Sequence, residues 1–165
     1  MTATSLTPAI TLLLLVGCAR TDMPTPSDDE SPQRALSVDG ISYSAETRVQ
    51  ETFPVTLRTE ATLTNTTNER RTVNLPGGCP VTLRAYRDAN RSAPPAWDQA
   101  KDLICTMQLA IVELDPGESR RFSTSVSAAE ILGDSLPPGD YHLTAVLRPD
   151  NRVVEVPAGS ATLDR

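Results

Sequence analysis

The chain has 165 residues, with 21 acidic against 15 basic side chains and a net charge of −6 at neutral pH. That balance argues against nucleic acid, whose phosphates call for clustered Lys and Arg. One histidine and three cysteines without a CxxC pair likewise argue against a metal centre.

Residues 9–16 (AITLLLLV) form an apolar run too short to cross roughly 30 Å of hydrocarbon, but suited to the core of an export signal. Leu15-Val16-Gly17-Cys18 resembles a bacterial lipobox, in which cleavage before the cysteine leaves a thiol that carries lipid. The reading is a signal peptide over 1–17 and a lipidated Cys18, with an ordinary cleaved signal or a buried apolar segment as alternatives. Met1–Pro8 lacks the Lys or Arg expected before such a run. Several acyl chains at Cys18 would give stable anchoring, since each buried CH₂ contributes about 0.8 kcal/mol. The membrane is therefore an expected partner through Cys18, and the bacterial envelope the expected location. Ala19, next to that cysteine, resembles outer-membrane sorting in some bacteria, facing periplasm or surface.

Residues 18–34 read as a disordered tether: three prolines, several Ser and Thr, the acidic run Asp28-Asp29-Glu30, and no apolar face. The acidic run fits a solvated linker better than a calcium or partner site.

From 35 to 165 the pattern predicts one domain built of strands. Val55, Leu57, Ala61 and Leu63 alternate with polar residues, Asn65–Glu69 turns the chain, and Val73 and Leu75 mark the next strand. Asn65-Thr66-Thr67 matches a glycosylation sequon but better serves the turn. After Pro76-Gly77-Gly78, the residues Cys79, Val81, Leu83 and Ala85 share one parity, and Leu103, Cys105, Met107, Leu109 and Ile111 another. Both are read as core-facing. With Cys18 acylated, Cys79 and Cys105 are left as an internal disulfide worth about 3 kcal/mol through the unfolded state. Two separate buried thiols are the alternative.

Asp115-Pro116-Gly117 leads into a strand with Phe122, Thr124 and Val126 on one face, and Ser127-x-x-Glu130 has the form of a capping box before a helical turn near 128–133. Beyond Leu136-Pro137-Pro138-Gly139, Tyr141, Leu143, Ala145 and Leu147 face inward and His142, Thr144 and Arg148 outward. Pro149-Asp150-Asn151 turns to a last strand near Val153–Val156. Short strands, Pro/Gly turns and no long helix predict an all-β fold, an antiparallel β-sandwich of about seven to eight strands.

The pieces LxxxATLTNTTNERRTVNL (Leu57–Leu75), LDPGESRRF (Leu114–Phe122) and LPPGDYHLTAVL (Leu136–Leu147) resemble the intracellular proteinase inhibitor (BsuPI-like) family. The resemblance implies an immunoglobulin-like sandwich and an inhibitor-like module. Its namesake acts inside the cell, whereas this chain carries an export signal, and no inhibitory residue is carried over.

No Ser lies in a GxSxG elbow and there is no Gly-rich phosphate loop. His142 reads as a solvated strand residue, and the carboxylates at Asp98, Asp102, Glu113, Asp115, Glu118 and Asp134 are scattered over turns. No catalytic residue and no cofactor are expected. The 88–102 loop (DANRSAPPAWDQAKD) holds the only tryptophan. Trp97, with Pro95 and Asp98, is the candidate partner-binding group; the alternative is that Trp97 plugs the end of the sandwich. These features point to a non-catalytic envelope lipoprotein that binds a protein partner. The alternative is a proteinase-inhibitor-like module, acting through this loop or the Pro76–Cys79 turn on an exported protease.

Overall fold

The computed structural model describes residues 35–106 and 108–164. The signal peptide, Cys18, the tether and Met107 lie outside the described residues.

Ten strands form among the described residues, all in antiparallel ladders. One sheet orders β1 (Leu36–Val38), β2 (Ile41–Gln50), β3 (Thr56–Asn65) and β8 (Ser119–Ser127). A second orders β10 (Val154–Leu163), β9 (Gly139–Leu147), β5 (Val81–Tyr86) and the two-residue β6 (Trp97–Asp98). β4 (Arg71–Pro76) and β7 (Leu109–Leu114) pair as a separate ribbon. The result is the expected all-β sandwich, with more strands than the seven or eight predicted.

The core gathers the inward parity of both large sheets. Tyr43, Leu57, Ala61 and Leu63 meet Leu83, Leu143, Ala145 and Val156, all buried, and Val73, Leu75, Val112 and Leu114 of the ribbon join them. Burying each large aliphatic side chain contributes roughly 1.5–3 kcal/mol, which is why a clean alternation suffices to fix strand register. Asn65 closes one end. Its Nδ2 donates to the carbonyls of Glu69, Leu114 and Asp115 at 2.7, 3.0 and 3.2 Å, and its Oδ1 accepts from the amide and hydroxyl of Thr67. The sequon thus serves the turn, with Asn65 buried.

The helix forms as the pattern predicts, as α1 (Ala128–Leu132). Ser127 Oγ accepts from the Glu130 amide at 3.1 Å, and the Glu130 carboxylate accepts from the Ser127 amide at 2.7 Å. These contacts hold Glu130 below its ordinary carboxylate range. Ser127→Ala removes one arm of the box and is expected to cost about 1 kcal/mol, read as a lower urea midpoint at unchanged slope.

Three expectations need correction. In β7 the buried residues are Val112 and Leu114, while Leu109 and Ile111 are 63% and 68% exposed, so the core-facing parity is the opposite of that read from the sequence. Thr144 is buried (1% exposed) rather than solvent-facing. The segment after β5 folds back towards β9, where Arg91 donates to the Leu143 carbonyl at 3.4 Å. The last strand runs to Leu163. A bulge between Pro157 and Ser160, with Gly159 at a positive φ of 96°, shifts the buried parity from Val154, Val156 and Ala158 to Ala161 and Leu163.

Candidate functional site

The 88–102 loop begins with a self-contained turn. The Asp88 carboxylate accepts from the Ser92 amide and hydroxyl, each at 2.7 Å, and from the Asn90 amide at 3.0 Å. Those hydrogen bonds, the Ser92 hydroxyl first, hold its pKa down at about 2. A carboxyl depressed on folding contributes stability above its unfolded pKa and loses it as pH falls through the folded one. The turn is therefore expected to stay closed at pH 4 and to open as the pH falls through about 2. An NMR titration of Asp88 reads this, and Ser92→Ala should move the midpoint up.

Trp97 ends the loop on β6, opposite Ala85, where it is half-buried and packs on the core. Its remaining face lines a groove of about 340 Å³ with Gln99, Asp102, Leu103, Ser125, Val126 and Glu130. The indole is thus both packed and accessible. Pro95 is half-buried. Asp98 is only 8% exposed and committed: it accepts from Arg84 Nε at 2.8 Å and from the Ala100 amide at 3.1 Å. Burial works against the Arg84 charge, but Asp98, with Glu155 beside it, holds the guanidinium above its ordinary value. Asp98 therefore positions the loop, and little of it is free to meet a partner.

Gln99, which sequence reasoning missed, ties β5 of one sheet to β8 of the other. In a 3-10 turn (Gln99–Lys101), its Oε1 accepts from the Leu83 amide at 2.9 Å and the Thr124 hydroxyl at 3.0 Å. Its Nε2 donates to the Ser125 carbonyl at 3.4 Å. A polar residue in a polar loop carries no periodic signal of burial. A neighbouring Asp N-cap was the only hint.

Cys79 and Cys105 are bonded, with Cα atoms 5.5 Å apart. The bridge is not internal, as the parity had implied: Cys79 is half-buried and Cys105 exposed. Its role is to clamp the segment between the 3-10 turn and β7. Gly77 and Gly78 lie against the same segment. The Gly77 amide donates to the Gln108 carbonyl at 2.5 Å, and a side chain at Gly78 would collide with Thr106. Here the glycines permit close backbone approach.

His142 sits half-buried on β9 opposite Tyr86 and Ser160. Glu113, Asp115 and Glu118 meet Arg70 and Arg120 in surface ion pairs, Arg70 to Asp115 at 2.7 Å and Arg120 to Glu118 at 2.9 Å. That places them in charge pairing around a turn. Among the described residues no three His, Cys, Asp or Glu side chains gather as a metal site, and no helix is long and apolar enough to cross a membrane.

The chain is similar in shape to parts of several solved glycosidases. A β-glucosidase involved in saponin metabolism from intestinal bacteria is 18% identical at a TM-score of 0.43, over 80% of this chain and 17% of that one. A β-glucosidase from Kluyveromyces marxianus is 10% identical at 0.40, over 79% and 15%. β-Glucosidase 3B from Thermotoga neapolitana is 13% identical at 0.36, over 79% and 18%. The chain thus spans less than a fifth of the length of each. No curated protein matches it. The family described as intracellular proteinase inhibitor matches residues 42–152, from β2 through the turn after β9. With that match covering well over half of its residues, the chain belongs to the intracellular proteinase inhibitor (BsuPI) family.

Proposed function

We propose that this protein is a non-catalytic binding module of the bacterial envelope, anchored by lipid on Cys18, whose sandwich captures an exported endoprotease. Membership of an inhibitor family supports the partner class. The Cys79–Cys105 bridge supports the compartment, because disulfides persist outside the reducing cytosol. The observation that carries the reading is the braced edge itself: Trp97 and Leu103 flank one groove on a segment fixed by a disulfide, two glycines and Gln99. Rigid presentation lowers the ordering cost of association.

The test is in-cell cross-linking of the tagged full chain, followed by mass spectrometry. An endoprotease should be recovered with the wild type and at least tenfold less with Trp97→Ala, provided the variant retains its melting transition. Cys18→Ser should release the protein from the membrane fraction. Recovery of envelope assembly proteins without a protease would make the module an adaptor and overturn the inhibitor reading.

A further inference from the structure

The segment after the 3-10 turn carries an unusual side chain. Ile104 is 99% exposed, Leu103 is 40% exposed, and Cys105 and Thr106 are also on the surface. With Leu109 and Ile111 on the outward face of β7, four of the large exposed hydrophobic side chains fall within nine residues of one edge. Clustered exposed apolar groups mark interaction surfaces more often than scattered ones do. The edge itself is open: β7 pairs with β4 on one side and with no strand on the other among the described residues.

What distinguishes Ile104 from Phe53, equally exposed in the 51–55 turn, is the support beneath it. The Phe53 turn is held through the Val55 carbonyl, which accepts from Ala128, and the Pro54 carbonyl, which accepts from Thr56. Around Ile104 the chain is pinned on both sides. Upstream, the Asp102 amide donates to the Gln99 carbonyl at 3.2 Å, and Leu103 lies in the Trp97 groove. Downstream, Cys105 is bonded to Cys79, and Gly77 and Gly78 back the chain at Thr106 and Gln108. The residues 103–106 belong to no helix or strand. An exposed, irregular segment with immobilised flanks and one fully presented side chain has the form that an endoprotease cleft accepts from a substrate, with the ordering entropy already lost.

We propose that residues 103–106 are the segment that enters the protease cleft, with Ile104 filling an apolar primary specificity pocket. The inference rests on the inhibitor reading above and names the residue through which it acts. Inhibition here is occupancy of the cleft, and no bond is made or broken. Leu109 and Ile111 supply an apolar flank beside it.

Ile104 is almost wholly in solvent, so its replacement leaves the core intact and the specificity can be moved. The full chain carrying Ile104→Arg is titrated against trypsin, whose pocket selects a basic side chain, and the wild type and Ile104→Asp against chymotrypsin and elastase, whose pockets are apolar. Ile104→Arg is expected to lower the inhibition constant for trypsin at least a hundredfold relative to wild type. Ile104→Asp should weaken whatever inhibition of the apolar-pocket proteases the wild type shows by a similar factor. Trypsin activity unaffected by Ile104→Arg, or trypsin cleaving after that position as in an ordinary substrate, overturns the assignment. If cross-linking in cells still recovers an endoprotease, only the choice of Ile104 falls; if it recovers none, the inhibitor reading falls with it.

Discussion

Removing the disulfide with Cys79→Ser and Cys105→Ser together is expected to lower the stability of the domain by about 3 kcal/mol. The bridge closes a loop with a sequence separation of 26, and opening it returns that conformational freedom to the unfolded chain. In the folded state the damage is local. Cys105 is exposed and contributes little to the core, so strand pairing elsewhere should survive. Guanidinium unfolding should show a lower midpoint. Hydrogen exchange should quicken around 103–108 well before it does in β3 or β9. A loss below 1 kcal/mol would mean that the glycine backing and Gln99 hold this edge without the bridge. An even loss of protection through the whole sandwich would mean that the bridge is integral to the core.

Gln99→Ala should cost about 2–4 kcal/mol, an unusual amount for a loop residue. It leaves the Leu83 amide and the Thr124 hydroxyl without their acceptor, and it opens a void between β5 and β8. Each buried donor left unmatched costs about 1–3 kcal/mol. Gln99→Glu is the informative companion. It keeps an acceptor for both donors but removes the donor to the Ser125 carbonyl and introduces a charge at a buried position. Both variants should also loosen the Trp97 groove, since Gln99 lines it. Thermal melts measure the first effect, and the emission of Trp97, the only tryptophan, reports the second.

The sheets were legible wherever one face is buried and the other wet. Leu57–Leu63 carries that alternation, whereas in Tyr141–Leu147 the inward parity was legible but Thr144 and Val146 on the other face are buried as well, and the capping box of α1 is written in Ser127 and Glu130. β2 carries the alternation too, in Ile41, Tyr43 and Ala45, so this strand, one of those beyond the expected count, was present as a pattern. Legibility failed where the physics departs from simple alternation. In β7 the apolar Leu109 and Ile111 face solvent, so hydrophobicity pointed to the wrong face. In β10 the bulge at Gly159 reverses the parity halfway along the strand. At the candidate site the sequence drew attention to Trp97, which does line the groove, and to Asp98, which is taken up by Arg84. It could not reveal Gln99 or Ile104. A buried polar side chain and a solvent-exposed aliphatic one are both inversions of the rule by which a pattern is read.

The central claim is that the braced 103–111 edge is where this module meets an endoprotease. A photo-crosslinking amino acid placed at position 104, and in a second chain at position 123 on the outer face of β8, tests it most directly in living cells. The account predicts a covalent adduct with an exported endoprotease from position 104 and none from position 123. Adducts to the same protease from 123 but not from 104, or no protease from either, would contradict it.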